Sequence, residues 1–443
     1  MTEGAFPADA HREPGTPEDG RVGRYRWVIC ALLFFAITIN YIDRQVVGVL
    51  KPLLEQEFGW SENDYANIVL GFQTAYAIGL LLVGRFMDSA GTRIGYAIAI
   101  GVWSLAAMAH AAASTVSQFI AARFVLGLGE AGGFPGAVKA VSEWFPKRER
   151  ALAIGLFNAG ANVGALLTPI VVPLLVLAWG WRAAFLITGL SGFLLLAVWL
   201  TVYRRPREHP RVSAREIAYI ESDPADPPGQ VSWRLALRRR EAWVFIVGKF
   251  MTDPVWWLFL FWLPDFFAKT HGLTLLPTGG GIFMTFGPAL VAVYLLADVG
   301  SIGGGWLSSA LIKRGWSVNA GRKTAMLICA LCVTPVSMAA FVDSLPLAVA
   351  IIGLAAAAHQ GWSANLFALT SDMFPSRAVG TIVGLGGMAG AIGGMFIAKF
   401  AGWTLEATGS YVPLLMFAGV TYLVALGIIQ LLSPRLEPAR LQA

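Results

Sequence analysis

The chain has 443 residues, of which 56% are hydrophobic and only 14% charged. A water-soluble domain carries about 25% charged residues to cover its surface, so this composition excludes a soluble protein of this length. The net charge of +6 then reads as basic residues gathered in loops on one side of a membrane, not as a nucleic-acid surface.

Residues 1–25 are polar and rich in Pro, Gly, Asp and Glu, and are expected to form a disordered cytoplasmic tail. No apolar run precedes Trp27, so no signal peptide is expected. A spanning helix needs about 20 apolar residues. Twelve such runs occur, at 27–50, 63–86, 94–113, 117–141, 150–175, 182–203, 241–268, 281–311, 322–342, 346–371, 378–400 and 411–432. They define an all-α polytopic membrane protein. Between the sixth and seventh runs lies the proline-rich stretch 204–240, read as a cytoplasmic linker in which Ser213 to Ser222 can form a short surface helix. It divides the chain into six-helix bundles at 26–203 and 241–433, with a cytoplasmic tail at 434–443. Cys30, Cys329 and Cys332 all sit in apolar runs, so no disulfide framework or metal site is expected, and no cofactor.

Basic residues fix the orientation. With the N-terminus in the cytoplasm, Arg85, Arg93, Lys147, Arg148, Arg150, the linker arginines, Lys313, Arg314, Arg322, Lys323, Arg377, Arg435 and Arg440 are all cytoplasmic. Lys51, Arg182, Lys269 and Lys399 fall outside. This is the asymmetry of the positive-inside rule, and it puts both termini in the cytoplasm.

The two halves repeat each other. Glu143-Trp144-Phe145-Pro146-Lys147-Arg148 matches Asp372-Met373-Phe374-Pro375-Ser376-Arg377 at an offset of 229, and the same offset maps Gly155-Leu156 onto Gly384-Leu385 and Gly164 onto Gly393. Gly84 to Asp88 with Arg93 matches Gly305 to Ser309 with Arg314 more weakly. Two parallel repeats place a substrate site between them near the midplane.

These motifs carry a family resemblance. Over about residues 25–435 the chain resembles the major facilitator superfamily, with the Gly84–Arg93 loop similar to its signature between helices two and three, although Ser89 stands where a basic residue is common. Asn40-Tyr41-Ile42-Asp43-Arg44 and Gly129-Glu130-Ala131-Gly132-Gly133-Phe134-Pro135 resemble the anion:cation symporter branch. Lys249 to Trp257, with Phe261-Trp262-Leu263-Pro264, resembles its bacterial hexuronate transporters. The resemblance implies the major facilitator fold, two pseudo-symmetric six-helix bundles in the inner membrane, and import of a hexuronate or related sugar acid by proton symport with alternating access. Another carboxylate, such as galactonate, glucarate or an aromatic acid, is the alternative substrate. A substrate-sensing transceptor is the alternative of another class.

Ionisable groups at bilayer depth are costly and mark function. Asn40, Asp43, Arg44 and Val47 share one helix face by their spacing. A guanidinium grips a carboxylate with two hydrogen bonds, so Arg44 suits an anionic substrate; an Asp43–Arg44 pair locking helices is the plainer reading. The resemblance implies substrate binding by Arg44 and a part for Asp43 in proton coupling. Arg123 and Glu130 lie two turns apart on one face. A carboxyl group in an apolar cavity can alternate between acid and anion, as a proton carrier must. A static Arg123–Glu130 or Arg123–Asp43 bridge is the alternative. In the family that resemblance names, the glutamate is the coupling site and the arginine controls it. The repeat aligns Glu130 with His359, which concentrates coupling in the N-terminal half. Lys249 either faces the site from the other half or snorkels to the cytoplasm, with Asp253 one turn on to neutralise it.

Sugars need hydroxyl partners and aromatic faces. Candidates are Tyr41, Gln73, Tyr76, Asn158, Trp256, Trp257, His359, Trp362 and Asn365, any of which can serve helix packing instead. Arg85, Asp88, Arg93, Lys139, Glu143 and Arg148 are read as a charge network latching the cytoplasmic gate, and Asp298 has no assigned role. No enzyme motif occurs: there is no phosphate loop, metal-binding histidine pair or nucleophile elbow. The partners expected are a sugar-acid anion, protons and the lipid bilayer, with no nucleic acid, for a monomer. With the linker in the cytoplasm, a Ser213→Cys variant in intact cells will react only with membrane-permeant thiol reagents. Labelling by an impermeant reagent would invert the topology.

Overall fold

A computed structural model describes residues 22–222, 233–277, 285–374, 376–437 and 439. Among them the chain is helical almost throughout: α1 Tyr25–Phe58, α2 Glu62–Ala109, α3 Val116–Glu130, α4 Gly133–Trp144, α5 Lys147–Trp179, α6 Trp181–Val202, α7 Ala214–Ile220, α8 Trp233–Leu237, α9 Arg240–His271, α10 Phe286–Lys313, α11 Val318–Val333, α12 Leu345–Met373, α13 Ser376–Thr408 and α14 Val412–Leu432. Among the described residues, eleven stretches are long and apolar enough to span a bilayer. The twelfth span is α3 and α4 together. One element, α2, holds two spans, Glu62–Val83 and Ser89–Ala112; the chain turns between them at Gly91, whose φ of +74° suits only glycine.

Several helices outrun their apolar windows. The run expected at 27–50 continues to Phe58, and that expected at 241–268 continues to His271. A hydropathy window stops at the first charges, but Lys51, Glu55 and Lys269 stay helical because they find partners. The run expected at 281–311 begins at Phe286; residues 278–284 lie outside those described. After α11 the span tightens into a 3-10 turn at Thr334–Phe341. Pro335 cannot donate to the Leu331 carbonyl, and the Thr334 hydroxyl takes that place at 2.8 Å. In the linker, α7 is capped by Ser213, which accepts from the Glu216 amide.

The offset of 229 read from the motifs holds for whole elements. It maps Val116–Trp144 onto Leu345–Met373 and Lys147–Trp179 onto Ser376–Thr408. One difference breaks the match: α12 is continuous, whereas its counterpart parts into α3 and α4 directly after Glu130. Pro135 lacks the N–H that the Ala131 carbonyl needs, and its ring crowds that carbonyl. Gly132 and Gly133 absorb the turn.

The outer surface is apolar. Leu194, Ile302, Trp306 and Leu431 are more than half exposed, which is acceptable only against lipid. Within the N-terminal half α1 packs on α5 and α2 on α3 and α6; within the other α10 packs on α12 and α13 on α9. The halves meet along α1–α9, α2–α13 and α5–α10.

Polar contacts between the halves gather at the end remote from Tyr25. Lys51 of α1, 0% exposed, is 2.7 Å from Asp265 of α9 and 3.1 Å from both Glu55 and Glu62. Lys269 pairs with Glu62 and, at 3.1 Å, with Asp265. The Tyr411 hydroxyl donates to Asp265, Tyr65 to the Phe261 carbonyl at 2.7 Å, and the Asn63 amide to Glu406 at 3.1 Å. This latch corrects the sequence reading, which left Lys51 and Lys269 as loop charges. At the other end, the ion pairs among the described residues include Arg26 with Glu149 at 2.8 Å and with Glu216 at 3.3 Å, which docks the linker helix, and Arg322 with Asp372 at 3.0 Å.

Breaking a buried pair by removing one partner costs about 3–5 kcal/mol; because Lys51 keeps Glu55 and Glu62, Asp265→Asn should cost the lower end of that range. Spin labels at Gln56 and Ala407, one on each half, will report longer distances in Asp265→Asn than in the parent. An unchanged distance distribution would show that this network does not hold the halves together.

Candidate functional site

The helix break sets the site. Gly133, just after it, packs against Ile37 and Asn40 of α1. That contact carries Glu130, the last residue of α3, up to Arg44. The Arg44 Nε donates to Glu130 Oε2 at 2.8 Å, and Nη2 donates to Asn40 Oδ1 at 3.2 Å. Arg44 is 3% and Glu130 1% exposed. The guanidinium carbon lies 4.5 Å from the Tyr41 ring centre, 4.9 Å from Tyr76, 5.4 Å from Phe72 and 5.6 Å from Trp257. Trp257 comes from the other half, so both halves close the cage. Each desolvated contact of this kind is worth up to ~2 kcal/mol, which helps a permanent cation stay in the apolar interior.

Hydrogen-bond capacity around this pair is left open. Glu130 Oε1, Asn40 Nδ2, both oxygens of Asp43, both amide atoms of Gln73, and Nε and Nη2 of Arg123 make no hydrogen bond. All are buried, and such concentrations of unfilled polar atoms call for an explanation; the carboxyl oxygens can take up a proton, and the N–H groups can donate to solvent or ligand. Arg123 donates Nη1 to the Arg44 carbonyl at 2.9 Å. It therefore props the backbone of α1, and neither static bridge considered for it, to Glu130 or to Asp43, is formed. Gln73 lies against Gly394 of α13 and Trp257, where a Cβ on Gly394 would strike both. That close approach places an unfilled amide at the seam between the halves.

The C-terminal half contributes a different set. Lys249 is 2.7 Å from Asp253, one turn on, and its Nζ is 5.1 Å from the Phe367 ring. It is eight residues from Trp257, about 12 Å along the helix, and each cation holds a carboxylate of its own half, so Lys249 and Arg44 do not share an anion in this state. His359 stacks on Trp256 at 5.1 Å, and its Nδ1 is 2.5 Å from the Tyr422 hydroxyl. Asn365 donates to the Gly304 and Gly361 carbonyls at 2.9 Å, so it ties α10 to α12. Trp362 is fully enclosed, with its edge on Tyr422. Both take the packing alternative. Asn158 is exposed on α5. It lies eleven residues, about three turns, from Pro169, whose carbonyl faces Gly287 on α10, so it lies on the side of α5 that meets the other half.

Three of the charges read as a cytoplasmic latch, Arg93, Lys139 and Glu143, make bonds within one half. Glu143 accepts from Thr92 at 2.5 Å and from Tyr203 at 2.7 Å, Arg93 donates to the Leu200 carbonyl at 2.6 Å, and Lys139 donates to the Met87 carbonyl at 2.8 Å. These bonds tie α2, α4 and α6 of one half together. The side chains of Arg85, Asp88 and Arg148 lie outside the described residues. Sequence reasoning missed Phe72, which carries no polar signal, and placed Asn40 on the Arg44 face without giving it a role.

A lipid-facing shell around buried charge, at the seam of two repeated six-helix halves, defines a membrane transporter. The family model for the Major Facilitator Superfamily matches residues 33–318, and the chain belongs to that superfamily. It is 29% identical to the D-galactonate transporter of Escherichia coli O6:H1 over 426 residues, covering 93% of this chain and 96% of that one. It is 30% identical to the hexuronate transporter of Escherichia coli (strain K12), covering 87% and 88%. Identity is 28% to the probable galactarate/D-glucarate transporter of Bacillus subtilis (strain 168), covering 92% and 91%. Among solved structures, a bacterial homolog to the human lysosomal transporter Spinster, inward-facing and occupied, superposes with a TM-score of 0.73 at 19% identity, covering 94% of this chain and 98% of that one. The relatives are transporters, and the chain is a transporter, not an enzyme.

Arg44→Lys keeps the charge but loses the planar two-pronged donor. If Arg44 anchors the ligand carboxylate, calorimetry will show sugar-acid affinity weakened roughly 10- to 150-fold, the value of a buried charge-assisted bond. Affinity within a factor of two of the parent would move the anchor elsewhere.

Proposed function

We propose that this protein imports a sugar-acid anion together with a proton across the inner membrane by alternating access. The relatives' names supply the substrate class: hexuronate, D-galactonate and galactarate/D-glucarate are all carboxylates of sugars. The observation that carries the mechanism is the 2.8 Å bond from Arg44 to Glu130.

Arg44 cannot lose its charge, so inside the membrane it always needs an anion. In this state the anion is Glu130. A substrate carboxylate can take the same donors only if Glu130 leaves them, and Glu130 leaves them without stranding a second buried charge only by taking up a proton. Substrate and proton thus bind together or not at all. Asp43, close to Arg123 and Glu130, is the second proton-accepting group, and Arg123 holds α1 so that Arg44 stays in register. Tyr41, Tyr76 and Trp257 form the wall against which the sugar packs, Gln73 offers its amide to a hydroxyl, and Asn158, Trp256 and His359 line the rest of the path.

The latch at Lys51 and Asp265 supports a reading of which side is open. With both termini cytoplasmic, it closes the external face, so this state receives and releases ligand at the cytoplasmic side. Arg44 and Lys51 share α1, and Trp257 and Asp265 share α9, at nearly the same spacing of two turns. A change at the cage therefore reaches the latch through two rigid helices.

Glu130→Gln fixes a neutral side chain at the coupling position. In liposomes it will retain counterflow exchange of the sugar acid and lose accumulation driven by an imposed proton gradient. Full gradient-driven accumulation by this variant would remove Glu130 from the coupling step.

A further inference from the structure

Three residues of α9, Lys249, Asp253 and Trp257, follow one another at four-residue spacing and form a single stripe. Three glycines of α13 face them in the same register: Gly386 meets the Lys249 stem, Gly390 the Asp253 carboxylate and Gly394 the Trp257 ring. The stripe begins at the Arg44 cage, which Trp257 helps to build, and runs toward the cytoplasmic end. Asp253 is therefore the first charged group on α9 beyond the cage, and the ammonium of Lys249, one turn further, is already held by it at 2.7 Å. The other ionisable groups described along these helices do not alter the balance. Asp298 on α10 is an acid, the His359 imidazole is held by Tyr422, and Lys399 is exposed and bonded to Asn67 at the seam.

We infer that the substrate carries a single carboxylate, and that Asp253 makes the site reject a second one. The inference rests on the sugar-acid reading above and narrows it: aldonates and uronates fit, aldarates do not. An acid anchored by its carboxylate on Arg44 extends its hydroxyl end along the stripe. Hydroxyls can donate to Asp253. A second carboxylate can only accept; it meets the Asp253 anion first, and at Lys249 it has to share a single ammonium with Asp253. The other half offers no free cation, because Arg44 is already engaged by the first carboxylate and Arg123, anchored through Nη1 to the Arg44 carbonyl, faces the carboxyl groups of Asp43 and Glu130. One anion is therefore left buried beside another without its own cation.

The test is competition binding on the purified full-length protein with D-galactonate, galacturonate, galactarate and D-glucarate. At least one of the two single-carboxylate acids should compete roughly 10- to 100-fold more strongly than either diacid, the range expected for one unpaired buried charge. Asp253→Asn frees Lys249 and should raise diacid affinity by about tenfold; adding Lys249→Gln should abolish that gain. Elution profile and melting temperature confirm that each variant is folded, and the wild-type ranking stands without them. Diacids competing as well as monoacids in the wild type would overturn the inference while leaving sugar-acid transport intact. A folded Asp253→Asn protein with no gain for diacids would remove Asp253 from the selection. If none of the four acids binds, both the inference and the transport reading fail.

Discussion

A guanidinium that cannot deprotonate, placed at the centre of a membrane protein, has to be matched by an anion at every moment. Arg44 is 3% exposed, and removing its counter-charge would leave a buried ion whose desolvation is not compensated. The aromatic cage softens this demand without meeting it, since four ring faces supply attraction but no net charge. The rest of the site follows from the demand. Glu130 must come close enough to pair, Asn40 must fill a remaining donor, and Arg123 must hold the α1 backbone where the pair can form.

The scaffold meets these needs by breaking its own symmetry. Two halves related by an offset of 229 residues place Glu130 and His359 at equivalent points. Only the first of the two helices contains a proline four residues after the Ala131 carbonyl, and only that helix parts. The break lets Glu130 end a helix instead of sitting within one, and lets Gly133 lie against α1. The second half keeps a continuous helix and a neutral-capable imidazole bonded to Tyr422. One half thus carries the Arg44–Glu130 pair with unfilled polar atoms around it, and the other carries a charge pair within one helix, Lys249 with Asp253.

Much of this was legible in the sequence, for reasons that can be named. Apolar runs of spanning length gave the helices, because in lipid the backbone must satisfy itself and helices are the simple solution. The repeated motif gave the internal register, which the element boundaries then matched. Asp43, Arg44, Arg123 and Glu130 stood out because charge at bilayer depth is rare. Partner choice was not legible. Nothing in the spacing told that Glu130 would bond Arg44 rather than Arg123, since that depends on how two helices 86 residues apart approach each other. The latch was invisible for the same reason: Lys51 and Asp265 are distant in sequence, and each lies where an apolar window ends. Only their local pairs, Lys51 with Glu55 and Asp265 with Lys269, were there to be read. Phe72 looked like any core phenylalanine, and Asn365 looked like a ligand contact until its amide was seen to bridge two helices.

The central claim is that a substrate carboxylate replaces Glu130 on Arg44 only as Glu130 takes a proton. The most direct measurement is the number of protons taken up on binding, from calorimetry of sugar-acid binding in buffers of different ionisation enthalpy at one pH. At a pH where Glu130 is ionised in the free protein, the account predicts net uptake approaching one proton per sugar acid bound, with affinity rising as pH falls through that range. Tight binding with no proton uptake across the accessible pH range would contradict it.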